Sequence, residues 1–497
     1  MLSTSIKLCL MFDNYKLEAK YNMIKVNRNI SSPLLVIFIV LIILNVVNAF
    51  FNMDYIALAL FLFFLYFTYK SNKEIIIKYM FMYVMFTYHI CSVFTVENFP
   101  NYLYNLQEWS YRSGCFLPIV TSYMIGFMLL LLLESNNNSK LRRKVQYSEQ
   151  TYLSFGEIKL SREKVVKVVT TILILLTIIM IARIGKNGFY SMGGIDRFEY
   201  RDNTFSGFDS KFYTYISWFL PIPLMCANNG MKKRAWFFFA IYCFYLVWIG
   251  DKFGSLFMAF YFLLLVNWST KELNKKMIGK VIALAFLVLL ALMLFIAYQV
   301  FYERGSMLEV FEYFNHRLAG GQSDLWWGVF SQEKNGWWRI GEFAKDELSA
   351  VFTQPDSWMD YNFGIYKMMR VTAPNWVVNN YLSRGIRFAA SSQASLFYYF
   401  KYTGLYVGSI GIFVLYYQVV NRAVNAYRSN DLIRTVCYTM LISKVIQLTT
   451  MSAIDMLGNT TTLLCIMVLF FMYPKKLYSS RIGIMNDARN SGGINEQ

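Results

Sequence analysis

The chain has 497 residues, 56% of them hydrophobic and 19% aromatic, with only 16% charged. That balance excludes an ordinary soluble domain, and apolar runs long enough to cross a bilayer recur along most of the length. The net charge of +18, from 48 Lys and Arg against 30 Asp and Glu, sits mostly in short segments beside those runs. Orientation in a membrane therefore explains it, and no nucleic-acid partner is expected, because no RNA- or DNA-binding motif is present.

In chain order, residues 1–32 are polar and basic and read as a cytoplasmic N-terminal segment. The first apolar run, from Pro33, is too long for a signal peptide and lacks a small-residue cleavage site. With about 20 residues per crossing as the template, about twelve spans follow: 33–52, 54–69, 75–96, 115–133, 164–182, 212–227, 236–250, 255–268, 280–302, 404–421, 433–451 and 456–473. The run 236–268 reads as two short helices, because "GDKFG" (Gly250 to Gly254) cuts it with two glycines and two charges. Residues 33–473 form the transmembrane domain, and 474–497 read as a cytoplasmic tail.

The segments between spans alternate in charge. One set carries Lys7, Lys16, Lys20, Lys25 and Arg28, then Lys70 and Lys73, "KLRRK" (Lys140 to Lys144), "KKR" (Lys232 to Arg234), Lys271, Lys275 and Lys276. Arg422, Arg428, Lys475, Lys476 and Arg481 complete it. The positive-inside rule places this set, and both termini, in the cytoplasm. The outward set then includes two substantial loops, 183–211 (the third) and 303–403 (the fifth).

Those two outward loops break the charge rule. The third, "RIGKNGFYSMGGIDRFEYRDN", holds Arg183, Lys186, Arg197 and Arg201 among Asp196, Glu199 and Asp202. The fifth holds Arg304, Arg317, Arg339, Arg370, Arg384 and Arg387. Arginine stays charged at any working pH, and its planar fork of donors matches phosphate oxygens. For any one arginine, headgroup anchoring or a local ion pair explains as much. For the set, recurring in two outward loops, an anionic ligand is the better account. The fifth loop also places apolar residues at helical spacing around Phe311, Phe314 and Leu318, and concentrates Trp326, Trp327, Trp337, Trp338, Trp358 and Trp376. An interfacial aromatic belt explains most of these, and a sugar-stacking surface is the sharper alternative for one or two. Arg339, in "WWR", reads as part of an interfacial anchor.

Of two histidines, His316 lies beside Arg317 in the fifth loop and has the chemistry for proton transfer. A solvated helix residue is its plain alternative, and Asp196, Glu199 and Asp324 are rival bases. His89 falls within an apolar span and is expected to be hydrogen-bonded inside the bundle. Lys444 and Gln447 stand at membrane depth, where polar groups usually face the bundle interior. Seven scattered cysteines without a CxxC support neither a metal site nor a disulfide framework. No cofactor is expected.

At these residues the chain resembles bacterial O-antigen polymerases, the Wzy-type polymerases of oligosaccharide repeat units. The likeness is one of pattern across most of the chain: helix number, loop position and arginine content. "GGIDR" (Gly193 to Arg197) is similar to the family's third loop, and "RFAASSQASLFYYFKYTGLYVG" to the end of its fifth, running into a helix through a glycine-containing turn. "GDKFGSLFMAF" resembles a family segment that usually has arginine where Lys252 stands here.

The resemblance implies an all-α polytopic fold, a lipid-dependent glycosyltransferase-like (GT-C-type) bundle with a large helical periplasmic loop, in the bacterial inner membrane. It implies transfer of a growing chain from undecaprenyl pyrophosphate to a new lipid-linked repeat unit, with these undecaprenyl-pyrophosphate-linked oligosaccharides and the lipid bilayer as partners. Binding of a chain-length regulator is left open. Arg197, Arg317 and His316 are the catalytic candidates, and Arg183, Arg201, Lys252, Arg384 and Arg387 the substrate-binding ones. No metal ligand set is expected. A transporter or flippase of lipid-linked sugars, and an O-antigen ligase, are the alternatives.

Overall fold

The computed structural model describes residues 32–48, 51–141, 152–155, 158–186, 197–225, 232–251, 254–270, 305–310, 323–353, 357–388, 391–429, 431–451 and 459–472, with a few single positions between. The expected terminal segments and most of the span 280–302 lie outside these residues.

Among the described residues the fold is helical apart from two small antiparallel hairpins, β1 (Tyr102–Leu103) with β2 (Glu108–Trp109) and β3 (Tyr152–Phe155) with β4 (Ile158–Ser161). In the first half the helices are α1 (Ser32–Val47), α2 (Asp54–Lys78), α3 (Met80–Asn98), α4 (Phe116–Leu141) and α5 (Arg162–Gly185). Next come α6 (Arg197–Thr204), α7 (Gly207–Phe219), α8 (Pro221–Met225), α9 (Lys232–Trp248) and α10 (Gly254–Thr270). The segment 303–403 supplies α11 (Asp324–Glu333) and α12 (Ile340–Phe343), which runs through a π-helical turn, Ala344–Leu348, into α13 (Ser349–Phe352). It continues with α14 (Gly364–Thr372), α15 (Asn375–Ser383) and α16 (Ser392–Thr403). A second π turn, Gly404–Gly408, leads into α17 (Ser409–Ser429), and α18 (Leu432–Met451) and α19 (Thr460–Met472) close the chain.

Among the described residues, six stretches are long and apolar enough to cross a membrane: Asp54–Lys78, Met80–Asn98, Phe116–Ser135, Lys164–Gly185, Ser392–Ser429 and Leu432–Thr450. The protein is a mostly helical membrane protein on that evidence. α4 is central, with 78% of its apolar window buried against 28% for α2 and α5. Gly126 makes this possible, because a Cβ there would stand 2.2 Å from the Phe413 ring of α17. Around that contact Tyr83 stacks on Phe127 and Phe86 on Tyr123, with ring centroids 4.2 and 4.1 Å apart.

Two expected boundaries change. The turn anticipated around Lys70 and Lys73 is helical: α2 kinks at Asn72 and gives way to α3 at Tyr79. The chain reverses there nonetheless, since Asn98 at the end of α3 donates to Asp54 at the start of α2 (3.3 Å). The turn expected before Leu405 is also helical, kinked at Lys401 (φ 54°). Apolar and aromatic residues from Ser392 onward extend the span expected at 404–421 on its N-terminal side, to Ser392–Ser429.

The reversal defines two ends of the bundle. At the loop end lie Asp54, Asn98 and the 99–115 connection. At the opposite end lie Lys78, Glu134 and Asn421.

Candidate functional site

The loop end holds a cleft of about 320 Å³ lined by Arg201, Phe205, Ser210, Tyr213 and Thr214. Arg201 comes from the last turn of α6, inside the third-loop stretch that the sequence marks as cation-rich. α7 supplies Tyr213, Ser210 and Thr214. Its start is fixed by a capping box in which Ser206 and Asp209 satisfy each other's end of the first turn.

Arg201 is placed by three partners. Its Nε donates to the Ile249 carbonyl (3.3 Å), its Nη2 pairs with Asp251 (3.3 Å), and its guanidinium lies over the Tyr213 ring at 4.9 Å. The Asp251 carboxylate also accepts from Tyr213 (2.5 Å) and from the Ser255 hydroxyl. The "GDKFG" junction makes this geometry: Gly250 takes φ 75°, which a glycine accepts without strain, and the following Asp251 is turned inward at the head of α10. A buried carboxylate with three donors holds an arginine in place while the cleft still reaches that arginine. Such an arrangement suits an anionic ligand, whose oxygens a positioned guanidinium can meet without first paying to order the side chain.

The other site residues distribute differently. Arg183 is half exposed and pairs locally with Asp209 (3.4 Å) and Ser206 (3.3 Å), at the foot of α7. Arg384 is exposed at the C-terminal cap of α15, and Arg387 donates to the Tyr366 hydroxyl (3.5 Å). Arg197 opens α6, but its side chain, and Lys252, His316 and Arg317 altogether, lie outside the described residues.

A second group of buried polar residues lies at the same end. Asp324, at the start of α11, is fully buried and accepts from Asn105 (2.7 Å), which in turn accepts from Tyr381 (2.9 Å). Its Oδ1 has no hydrogen-bond partner. Burial raises this carboxyl to about 7, against which the Asn105 hydrogen bond works. The neighbouring Trp326 and Trp327 are wholly buried and donate to the Cys115 (3.1 Å) and Tyr111 (2.9 Å) carbonyls. They are core residues pinning the 99–115 connection, neither belt nor sugar platform. Among the described tryptophans of this segment, Trp337, Trp338 and Trp376 are exposed; the Trp358 side chain lies outside the described residues.

Arg339 also departs from its reading as part of an anchor. It bridges Glu333 (2.7 Å) and Glu342 (3.2 Å), lies over Tyr398 (4.6 Å), and donates its backbone N–H to Tyr399 (2.7 Å). Lys401 completes the group on Glu333. Burial alone would raise the Glu342 carboxyl; the Tyr398 hydroxyl, Arg339 and Lys367 hold it below its ordinary range. His89 meets its expectation: it is buried and hydrogen-bonded to Tyr123 (2.6 Å).

Asp251, Tyr213 and Ser255 were missed in the sequence. Asp251 stood next to Lys252 in a quoted motif, but its partner Tyr213 lies 38 residues upstream, beyond any local spacing rule. Among the described residues no group of three or more His, Cys, Asp or Glu side chains could hold a metal ion.

Residues 359–466, from just before α14 into α19, match a family model described as a family of unknown function (DUF6418). No curated protein and no solved structure matches the chain.

Proposed function

We propose that this protein polymerises lipid-linked oligosaccharide repeat units into O-antigen or a similar surface polysaccharide. In this reading it crosses the bacterial inner membrane twelve times, with both termini cytoplasmic and a GT-C-type helical plan. The observation that carries the proposal is Arg201: an outward-loop arginine held by a buried carboxylate at the wall of a cleft at the loop end. The resemblance of the third and fifth loops to the polymerase pattern gives that arginine its ligand, the pyrophosphate of the lipid carrier.

The chemistry follows from the bond exchanged. A hydroxyl of the incoming repeat unit attacks the anomeric carbon of the growing chain. The new C–O bond forms as the bond from that carbon to the pyrophosphate oxygen breaks, and the bonding electrons leave with the phosphate. Negative charge therefore gathers on the leaving group, where a prepositioned cation is worth about 100- to 1000-fold in rate. Arg201 fills that role, with Asp251 and Tyr213 as its positioning residues. Arg197, Arg317 and Lys252 are the further cations of the same two loops and the junction between α9 and α10. The hydroxyl proton passes to a base, for which His316 is the candidate, with Asp196, Glu199 and Asp324 as its rivals.

Deleting the protein in its native host and running its surface polysaccharide on a gel tests the reading. Core carrying a single repeat unit is the expected result. Loss of all O-antigen would point instead to a ligase or flippase, and an unchanged ladder would end the proposal.

A further inference from the structure

The segment 337–352 is built inside out. Most of its charges are buried or paired: Asp346 pairs with Lys367 (2.9 Å), Glu347 accepts the Gly364 backbone N–H (2.6 Å), and the part-exposed Arg339 and Glu342 engage each other and Tyr398. Asp346 and Glu347 are buried. Its apolar residues point outward: Trp337 is 89% exposed, Phe352 85%, Ile340 57%, Trp338 56% and Leu348 46%. Ile340, Ala344, Leu348 and Phe352 form an i, i+4 stripe, all exposed. The one exposed hydroxyl on the stripe side, Ser349, donates back to the Lys345 carbonyl of its own helix.

A helix packed on a protein and facing water buries its apolar stripe and exposes its charges. This one does the reverse, and a contiguous exposed surface of this kind marks an interaction face. We infer that residues 337–352 are immersed in the hydrocarbon of the membrane leaflet at the loop end. Two observations select lipid as the occupant. The segment is joined to the membrane-crossing stretch Ser392–Ser429 by the Arg339 N–H to Tyr399 bond and by the packing of Phe343 on Phe400 (4.9 Å). The charges that keep exposure are Glu342, whose carboxylate is engaged by Arg339 and Tyr398, and Lys345, whose long stem can carry an ammonium to the headgroups. Thirteen helical residues from Ile340 reach only about 20 Å, short of the roughly 30 Å hydrocarbon core, so the segment lies along or dips into one leaflet and does not span. Part of what the charge pattern assigns to an aqueous loop thus belongs to the membrane domain. The Glu333–Arg339–Glu342 network then sits beneath a lipid-facing cover.

The test is nitroxide accessibility in the full-length protein. Phe352→Cys and Leu348→Cys, with Asn335→Cys as a control at an exposed site, are spin-labelled in a background whose seven native cysteines are serine. The protein is placed in phosphatidylethanolamine–phosphatidylglycerol vesicles. The inference expects high collision with oxygen and low collision with a nickel chelate at 352 and 348, and the opposite at 335. High nickel collision at 352 and 348 would show water there. Low collision with both reagents would show a protein cover, from a second copy or a partner. Either overturns the inference. If the serine background does not fold, the native chain and Trp337→Phe/Trp338→Phe are compared in vesicles of brominated phosphatidylcholine. Equal quenching of the two would overturn it as well.

Discussion

Two buried charge clusters sit at opposite ends of the same bundle, and they are built on different terms. At the far end Lys78 pairs with Glu134 (2.5 Å) and donates to Asn421 (2.5 Å), while Tyr79 (2.6 Å) and Asn421 (3.3 Å) both donate to Glu134. The Lys78 and Glu134 side chains are 2% and 4% exposed. Tyr79 and Trp268 flank the ammonium, so the cluster is closed and its partners are mutual. At the loop end the Arg201–Asp251 pair has comparable local support, but its arginine lines a cleft. A closed pair clasps α2, α4 and α17 together. An open one presents a fixed cation to something outside the fold. Ionisable residues at membrane depth are usually read as functional; the difference in access separates clasp from site.

The sharpest way to break the comparison is at the clasp. Glu134→Gln leaves Lys78 buried without its counter-charge, which costs about 3–5 kcal/mol in such settings. Little folded protein should reach the membrane, as read by blot and by thermal unfolding in detergent. Lys78→Met with Glu134→Leu should recover the level, because a buried pair replaced by apolar groups of similar size is often neutral or better. A Glu134→Gln variant present at full level with full stability would make the cluster something other than a clasp.

Asp324 sharpens the loop end. Its folded value of about 7 lies above the ordinary value of 3.8, so the fold favours the protonated form. The sign follows: stability is fully present below about pH 4, is lost as pH rises toward 7, and stays low above it. The shift corresponds to a change on the order of 4 kcal/mol. Asp324→Asn should flatten that slope, so that at pH 8 the variant unfolds at a higher temperature than its parent. An unchanged slope would place the pH dependence elsewhere. If Asp324 is also the base of the reaction, the same variant loses polymer formation while gaining stability, an outcome no purely structural carboxyl produces.

Arg339→Lys is the mildest case. Lysine keeps the charge but cannot reach Glu333 and Glu342 with a planar fork while covering Tyr398. The charge is retained and Lys401 still pairs with Glu333, so the loss is that of a hydrogen bond, about 1 kcal/mol. A melting shift of a few degrees with unchanged polymer length is expected. No shift at all would restore the reading of Arg339 as a simple anchor.

The sequence made some of these distinctions legible and hid others. Span position is carried by composition along a continuous run, so α3, α4, α5 and α18 fall close to where hydropathy puts them. His89 is readable for the same reason: a lone polar ring in an apolar run must find a partner inside. Trp326 and Trp338 share one chemistry and sit in one loop, yet one is core and the other exposed. The carbonyl of Cys115 decides that, and it is 211 residues from Trp326. Asp251 shows the same limit, since its inward turn depends on Gly250 and its use on Tyr213 from α7. Local pattern identifies where cations gather; only the fold shows which of them is held and which is loosely paired at the surface, as Arg183 is.

The most direct test of the central claim uses purified protein in vesicles with a lipid-linked repeat unit, followed as polymer length against time. Arg201→Lys keeps a positive charge but gives up the fork, the Ile249 carbonyl and the Tyr213 face. Arg183→Lys serves as the comparison at the exposed local pair. The account predicts a ladder from the native protein, a nearly native ladder from Arg183→Lys, and a rate about 100-fold lower or worse from Arg201→Lys at equal folded protein. A full-rate ladder from Arg201→Lys would contradict the assignment of the cleft, and no polymer from the native protein would contradict the function itself.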